Sequence, residues 1–311
     1  MSLHVREPGL YSLLVDSGRP HSRHLGMPLG GAADRAVFAL GNALVGNPSD
    51  AVALEVTLFG PTLEAEHPIA GVVFGAEFQS AVNGQPIRAN TTFTLEPGDV
   101  LRVGGTSTGC RGYLCVAGGF EVAEIMGSCS ALEPIPPDGR LVCPQSRIEP
   151  RSLSDEYVHP WASSPVLVRV LDGPQRDWFT EESFFTQDYE TSPASNRMGI
   201  RFRGLPLSRR PGELVSEPVA PGAVQITNDG LPVVLGVDGQ TIGGYPKIAH
   251  VIRADLDLLA QLRPGDRVRF VRVTANEAAS AAEARSSALN SWLQRLRIAE
   301  RQPVLSSQFP H

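Results

Sequence analysis

Short apolar runs of strand length, separated by turns rich in glycine and proline, alternate along most of the chain. Runs of this kind predict β-strands, and Asn83-Gly84 between two of them is a typical hairpin turn. The predicted strands are residues 3–16, 53–58, 62–66, 70–75, 78–82, 86–95, 100–103 and 112–117, followed by 166–171, 223–227, 231–237 and 248–253. The pattern therefore predicts a mainly β protein.

Helical periodicity is confined to four segments. Asp34 can cap a helix that runs to about Val45, and shorter helices are predicted over 177–185 and 255–262. The segment from about 276 to 302 is predicted to be an amphipathic helix. Its apolar residues at helical spacing are Leu289, Trp292, Leu293 and Leu296. This helix packs either on the rest of the chain or on a partner.

The two halves of the chain share a turn followed by a strand. Residues 95–103 resemble residues 262–270, and each segment places Pro-Gly-Asp just before an apolar strand. This similarity between the two halves predicts two similar β-barrel-like lobes with few helices. We expect a first lobe with a proline-rich linker over 1–160, a second lobe over 161–275, and the helix and tail over 276–311.

Composition and charge argue against several classes of function. The chain has 311 residues, a hydrophobic fraction of 42% and a net charge of −6. Its arginines form no basic cluster, which argues against binding to nucleic acid or to an anionic membrane surface. The N-terminus lacks a signal-peptide pattern, and no apolar run is long enough to span a bilayer. These features predict a soluble, cytoplasmic protein.

Common motifs for metal, nucleotide and hydrolase sites are absent from the sequence. The cysteines Cys110, Cys115, Cys129 and Cys143 form no Cys-x-x-Cys pair and have no histidine at zinc-ligand spacing, so we predict no metal site. There is no Gly-x-x-x-x-Gly-Lys-Ser/Thr loop, no Gly-x-Ser-x-Gly and no His-Glu-x-x-His. If the protein uses ATP, this chain does not bind it through a P-loop.

Lys247 is the only lysine, so 26 of the 27 basic residues are arginines. A compact ammonium with rotatable donors differs from a guanidinium at a reactive site. Gly243, Gly244, Tyr245 and Pro246 precede this lysine, and glycines allow a ligand to approach the backbone closely. The segment therefore indicates a site for a polar substrate, although it could also be a tight turn that kept a lysine by chance.

A candidate site can be assembled around this lysine. Lys247 supplies positive charge, Asp238 is a possible base or orienting group, and Arg197 is a second cation for a carboxylate or phosphate. The alternative is that Arg197 and Asp238 form a structural ion pair. Such an arrangement suits stabilisation of a developing oxyanion on an amide-like or ureido substrate. The predicted catalytic residues are Lys247, Asp238 and Gln240, with substrate contacts from Arg197, Gln225, Thr241, Gly243, Gly244 and Tyr245.

A second polar loop follows the first predicted strand. Between Ser17 and Gly31 it contains Arg19, His24 and several glycines, a density of donors that suits an anion or a polar ligand. A surface connection is an equally good interpretation. We include Arg19 and His24 as candidate substrate contacts.

Several of these stretches resemble one known family. The matching stretches are Gly18-Arg19-Pro20, Gly26 to Asp34, Asn42 to Pro48, Ala53 to Pro61, Ala117-Gly118-Gly119, Asn196 to Gly199, Glu217 to Gln225 and Gln240 to Lys247. Together they span nearly all of residues 5–272. The chain resembles the family that includes the 5-oxoprolinase C subunit, KipA, allophanate hydrolase subunit 2 and the biotin-dependent carboxyltransferases.

The resemblance implies two cyclophilin-like β-barrel lobes with a site between them. It also implies a B-type (KipI-like) partner subunit and an A-type subunit, which together open 5-oxoproline to glutamate at the expense of ATP. The alternatives it implies are a carboxyltransferase that uses carboxybiotin and urea, or a non-catalytic regulator of a sensor kinase. Biotin belongs to the carboxyltransferase alternative alone.

The sequence departs from the family pattern at three positions. Val15 stands where the family usually has Gln, Ile242 where it has Thr, and Cys129 where it has Arg between two serines. Each change removes a polar group. The departures leave the exact substrate open and indicate a divergent member with weakened or altered activity.

Overall fold

The computed structural model describes residues 1–153, 164–179 and 182–301, and most of its regular elements are β-strands. The first lobe contains β1 (Ser2–Glu7), β2 (Ser12–Val15), β3 (Ala53–Thr57), β4 (Thr62–Ala65), β5 (Ile69–Gly75), β6 (Phe78–Val82), β7 (Gln85–Pro86), β8 (Phe93–Leu95), β9 (Val100–Thr106), β10 (Arg111–Val116) and β11 (Arg140–Val142). The second lobe contains β12 (Val166–Asp172), β13 (Tyr189–Thr191), β14 (Gly199–Arg203), β15 (Glu217–Pro218), β16 (Ala223–Ile226), β17 (Pro232–Leu235), β18 (Ile242–Gly243), β19 (Lys247–Val251) and β20 (Arg267–Arg272).

Two sheets form the first lobe. One has the strand order β11-β1-β4-β9-β6-β7, and the other has the order β2-β3-β10-β5-β8. Apolar side chains from both sheets, including Leu3, Val56, Leu101 and Leu114, share one fully buried core. Burial of this apolar surface is the main force that holds the two sheets together.

A closed barrel forms the second lobe, in the order β12-β19-β16-β17-β14-β13-β20. The barrel closes through a parallel pair in which Val168 of β12 lies opposite Phe270 of β20. Its core contains an aromatic cluster in which Phe184 stacks on Phe270 with ring centroids 4.7 Å apart. The expected mainly β fold with a barrel and a C-terminal helix is confirmed.

The repeated Pro-Gly-Asp segment forms the same turn in both lobes. Asp99 accepts a hydrogen bond from the backbone of Glu96 (2.7 Å), and Asp266 accepts the equivalent bond from Arg263 (2.8 Å). Both turn glycines have a positive φ, which a residue with a Cβ rarely adopts. The repeated sequence therefore reports a repeated local structure.

Among the described residues, four α-helices and three short 3₁₀ segments accompany the strands. The α-helices are α1 (Arg35–Leu44), α2 (Ser183–Thr186), α3 (Leu256–Gln261) and α4 (Ala275–Arg301), and the 3₁₀ segments are Pro20–Leu25, Arg176–Trp178 and Arg253–Asp255. Asp34 caps α1 as predicted, because its carboxylate accepts a hydrogen bond from the backbone N–H of Val37 (3.0 Å).

Helix α4 packs on its own chain. Its apolar residues Leu289, Trp292, Leu293 and Leu296 cover a second buried cluster of the first lobe, which includes the inner face of α1. Of the two packing alternatives, the structure therefore shows the intramolecular one. In the part of the chain that the structure describes, no helix is long and apolar enough to span a membrane.

Some predicted elements differ in detail. The strand predicted over 3–16 is two strands, because Gly9 has a φ of 76° and a Cβ there would lie 2.5 Å from the Gly60 backbone. Only the ends of the strand predicted over 86–95 are strands. The predicted helix 177–185 is a 3₁₀ turn followed by the single turn α2, and its residues 180–181 lie outside the described ranges.

The proline-rich linker predicted at the end of the first lobe contains a short strand. Strand β11 pairs with β1 at the edge of the six-stranded sheet. Residues 154–163 of this connection, where the predicted domain boundary falls, are not among the described residues.

Candidate functional site

Lys247 lies at the start of β19, where it faces Gln225 across the barrel pair β16–β19. The residue is only 7% exposed, and its ammonium donates a hydrogen bond to the carboxylate of Glu217. Gln175 completes the group: its amide nitrogen donates to Glu217 (2.9 Å), and its carbonyl accepts from the backbone N–H of Lys247 (3.0 Å). The sole lysine is thus a buried, charge-paired group.

The charge state of this pair follows from its hydrogen bonds. The hydrogen bond from Lys247, followed by that from Gln175, lowers the pKa of Glu217 below its usual value. The ionised carboxylate therefore faces the Lys247 ammonium as an ion pair. Lys247 is therefore suited to act as a positive charge and hydrogen-bond donor.

A small ribbon places Glu217 beside the glycine segment. Strand β15 pairs with β18 so that Glu217 lies opposite Gly243. The Thr241 carbonyl accepts a hydrogen bond from the backbone of Val219 (3.0 Å) and extends the same contact. These backbone bonds bring two segments that are distant in sequence into one wall of the site.

A polar cleft of about 170 Å³ opens next to this ribbon. Gln225, Gln240 and Tyr245 line it, together with Asn196 and Thr227. Three of the predicted site residues therefore share one concavity, whose size and polarity suit a small polar molecule.

Position 243 has room for a glycine but not for a residue with a Cβ. A Cβ at this position would lie 2.6 Å from the side-chain amide nitrogen of Gln225 and 2.9 Å from that of Gln240. The Gln225 nitrogen is buried and has no hydrogen-bond partner among the described residues. Two amide donors therefore converge at a glycine, and one of them is left free. A buried unpaired donor is costly unless a ligand satisfies it.

Arg197 and Asp238 lie in a different environment from Lys247. Arg197 is 6% exposed and donates to both carboxylate oxygens of Asp238 (2.6 and 3.0 Å), to Glu55 (2.6 Å) and to the Gly31 carbonyl (2.7 Å). Of the two interpretations of this pair, the structure shows the structural ion pair. The idea that Asp238 orients Lys247 is wrong, because Glu217 holds the ammonium and Asp238 is engaged by Arg197.

Glu55 is the centre of the contact between the lobes. It is completely buried, its Oε2 accepts from Tyr113 (2.8 Å) and from the Ala33 backbone (2.9 Å), and Arg111 lies 3.4 Å from its Oε1. Burial alone would raise the pKa of Glu55, but the facing Arg197 and Arg111 guanidiniums outweigh this effect and lower it. Arg197 therefore joins the second lobe to the first.

Arg19 and His24 occupy structural or outer positions. Arg19 is 2% exposed and donates to the backbone carbonyls of Ile125 (3.2 Å) and Ser130 (2.5 Å), so it holds a first-lobe loop and does not face the cleft. His24 is exposed. Arg23, which the sequence did not single out, donates to the Val219 carbonyl (2.5 Å) and links this loop to the ribbon.

The sequence interpretation missed Glu217, Gln175 and Glu55. Glu217 belongs to a stretch that carries the family resemblance, which could have pointed to it. Glu55 interrupts the apolar strand Ala53–Thr57, and a charge inside a buried strand signals a buried partner. Nothing in the local pattern around Gln175 indicates its role.

The three departures from the family pattern have different surroundings. Val15 is buried in the first lobe, whereas Ile242 is 59% exposed on the ribbon. The backbone N–H of Cys129 donates to Asp16 (2.6 Å), whose carboxylate also accepts from Ser128 and Ser130 (both 2.6 Å). The departure at Ile242 thus lies beside the candidate site. Among the described residues, no group of three or more His, Cys, Asp or Glu side chains could hold a metal ion.

Several known proteins are similar to this chain in sequence or in fold. The chain is 33% identical over 290 residues to the C subunit of 5-oxoprolinase from Escherichia coli, covering 90% of this chain and 94% of that protein. It is 33% identical over 280 residues to the Haemophilus influenzae protein of the same name, covering 86% and 89%. The crystal structure of K. lactis urea amidolyase superposes with a TM-score of 0.83 at 28% identity, covering 94% of this chain.

This chain spans 20% of the length of that urea amidolyase. Residues 25–272 match the family described as "Carboxyltransferase domain, subdomain A and B", which confirms the resemblance found in the sequence. The chain therefore belongs to the family of carboxyltransferase domain subdomains A and B.

Proposed function

We propose that this chain is the C subunit of an ATP-dependent 5-oxoprolinase. In this proposal it acts with a B-type (KipI-like) subunit, and with an A-type subunit, to open the cyclic amide of 5-oxoproline to glutamate. The 33% identity to the 5-oxoprolinase C subunit over nearly the full length of both chains supports the assignment. Because this chain has no P-loop, ATP binds through another motif or to a partner.

The observation that carries the proposal is the unpaired amide of Gln225. Its free nitrogen lies beside Gly243 and near the Gln240 amide, in a polar cleft sized for a small molecule. A substrate carbonyl oxygen accepts hydrogen bonds from such donors, and negative charge on that oxygen would strengthen them. A lactam or ureido carbonyl is therefore the group that this cleft suits.

Lys247 supplies the positive charge in this arrangement. One of its three ammonium donors is used by Glu217. Lys247 does not line the cleft, and in this proposal its charge acts through space on negative charge that develops on a carbonyl oxygen there. Thr241, Gly244 and Tyr245 shape the rest of the proposed site.

The test is reconstitution with the partner subunits. Co-expressed with its A- and B-type partners, the chain is expected to support ATP hydrolysis that depends on 5-oxoproline, and Lys247→Ala is expected to abolish it. Gln225→Leu should lower turnover, because it removes the free amide donor, whereas Gln79→Leu at an exposed position of β6 should not. Normal turnover by Lys247→Ala would remove that residue from the proposed site.

A second candidate function is the carboxyltransferase subunit of a biotin-dependent urea or amide carboxylase. The TM-score of 0.83 with urea amidolyase favours it. Urea-dependent consumption of carboxybiotin, with the carboxybiotin supplied on a separate carrier protein, would support this function over the first. Binding of a partner without turnover in any mixture would instead favour a non-catalytic regulator.

A further inference from the structure

We propose that a cavity between α1, α3 and α4 binds a small tetrahedral oxyanion of the phosphate type. The cavity encloses about 170 Å³ and is separate from the cleft at Gln225. Each of its three walls contributes one arginine: Arg35 from α1, Arg253 from the 3₁₀ segment before α3, and Arg285 from α4. Proteins commonly bind phosphate-like anions through arginine guanidiniums.

The arginines are not neutralised by the acidic residues that line the cavity. Asp257 is the one carboxylate among its lining residues. Asp257 lies 3.8 Å from the Nε of Arg35 and accepts a hydrogen bond of 3.3 Å from an Nη of Arg285, so one carboxylate is shared between two arginines. Three positive charges against one negative charge leave an excess of two, in a chain whose net charge is −6. A bound dianion would balance this excess.

Free donors remain in the cavity. The Nε of Arg285 is buried and has no hydrogen-bond partner among the described residues. The guanidinium of Arg253 is exposed at the rim, and it makes no hydrogen bond or ion pair to the described residues. A buried N–H without a partner is costly, and an anion oxygen would satisfy it.

The backbone at this end of the cavity is already partnered. Arg35 is the first residue of α1 and its N–H donates to Asp257 (3.2 Å), while the N–H of Val37 donates to Asp34 (3.0 Å), so the arginine side chains supply the attraction. Space is sufficient, since a cavity needs only about 10–15 Å³ of comparable volume to hold one water. The arginines and the space together suit a small multivalent oxyanion.

A bound oxyanion would connect three parts of the molecule. Helix α1 belongs to the first lobe and α3 to the second, while α4 begins beyond residue 272, where the family match ends. The site would therefore clamp the C-terminal helix across the junction of the lobes. It does not involve Lys247 or Gln225, so its failure and the failure of the proposed function are distinguishable.

Titration calorimetry of the full-length chain with sodium phosphate, at ionic strength held constant with sodium chloride, tests the proposal. We expect saturable binding of one phosphate per chain. Arg253→Gln and Arg285→Gln should each weaken it about tenfold, because each removes a charge-assisted donor. Asp257→Asn should tighten binding several-fold, because it removes the competing carboxylate but keeps an acceptor for the Arg35 backbone. Arg102→Gln, which changes an exposed arginine of β9 that does not line the cavity, is the matched control.

Titration with ADP separates two sources of the anion. If ADP binds more tightly than phosphate and its binding depends on Arg253, the site takes a nucleotide phosphate. If inorganic phosphate binds more tightly than ADP, the site takes the free ion. Thermal unfolding of each variant checks that it is folded, and Arg253→Gln removes no contact that the fold uses. Heats equal to those of chloride alone, or equal phosphate affinity in Arg253→Gln and the unmodified chain, would overturn the proposal.

Discussion

At the scale of single residues, a glycine and a glutamate decide how the candidate site works. Glu217 holds the only lysine in a buried, charged state, and Gly243 leaves space in which two glutamine amides converge. Neither Gly243 nor Gly244 has a φ in the left-handed region, and Gly243 is needed for the close approach of the Gln225 and Gln240 amides and not for backbone conformation.

Gly243→Ala should impair substrate binding with little change in stability. The new Cβ would meet the Gln225 amide at 2.6 Å and force that side chain out of position. Loss of one hydrogen bond to the substrate corresponds to roughly a five- to tenfold rise in KM. Steady-state kinetics of the reconstituted complex measure this change.

Gly105→Ala is the control for that substitution. A Cβ at Gly105 would have its nearest neighbour at 3.7 Å, an ordinary contact, so its KM should stay unchanged. An unchanged KM in Gly243→Ala would show that the two amides do not contact the substrate.

At the scale of elements, α4 depends on both its cap and its apolar face. Thr274 and Glu277 form a capping box: the Glu277 carboxylate accepts from the Thr274 backbone (2.7 Å), and the Thr274 hydroxyl accepts from the Glu277 backbone (3.3 Å). The apolar face then lies on the cluster that contains α1. The cap thus stabilises a helix that covers part of the first lobe.

Thr274→Ala should lower the free energy of unfolding of α4 by about 0.5–2 kcal/mol, the usual cost of losing an N-cap. Hydrogen exchange of the first turn of α4, together with urea denaturation, measures the effect. Ser280→Ala, an exposed change in the interior of the same helix, should be neutral or slightly stabilising. Equal protection of α4 in both variants would contradict this role for the cap.

At the scale of the whole molecule, buried polar groups join the two lobes. Arg197 reaches Glu55, while Gln261 of the second lobe donates to Asp34 (2.8 Å) and accepts from the backbone N–H groups of Cys110 and Arg111 (both 3.0 Å). Because these groups are shielded from water, their partners must be placed accurately. The orientation of the lobes is therefore set by specific hydrogen bonds as well as by apolar contact.

Glu55→Gln should destabilise the protein by about 3–5 kcal/mol, because the buried Arg111 guanidinium would lose its facing carboxylate and the buried Arg197 guanidinium would keep Asp238 but lose one of its two carboxylate partners. Urea denaturation measures the loss. The control is Glu64→Gln, which removes an ion pair between Glu64 and Arg6 at the surface and should cost less than about 1 kcal/mol. Similar costs for the two variants would show that the buried network contributes little.

The pH dependence of the free energy of unfolding should reflect the ionisation of Asp34. Burial, and then the nearby Asp257 carboxylate, raise the pKa of Asp34 to about 7. The unfolded chain loses this proton near pH ~4, so the folded state binds more protons between about pH 4 and pH 7. The Asp34 contribution is therefore fully present below about pH 4 and is lost as the pH rises through about 7.

Asp34→Asn removes the titrating group and retains an acceptor for the α1 cap. The stability of the unmodified protein relative to this variant should fall as the pH rises from about 4 to about 7, as measured by urea denaturation at several pH values. A constant difference over that range would show that Asp34 ionises normally in the folded protein.

The sequence alone determined the β-rich character, the cap of α1 and the repeated Pro-Gly-Asp turn. These features depend on local periodicity and on turn chemistry, which neighbouring residues specify. The apolar spacing of α4 also predicted which of its side chains pack against the first lobe.

Only the tertiary structure decided how the charged groups are paired. Lys247 and Glu217 are 30 residues apart, and Arg197 and Glu55 are 142 residues apart, so no local pattern can match them. The sequence suggested Arg197 as a substrate contact and Asp238 as a catalytic residue, with an ion pair between them as the alternative. The folded chain pairs them with each other, and Arg197 joins the lobes through Glu55. Partner choice among charged side chains depends on which surfaces meet after folding, because burial makes an unpaired charge too costly to leave in place.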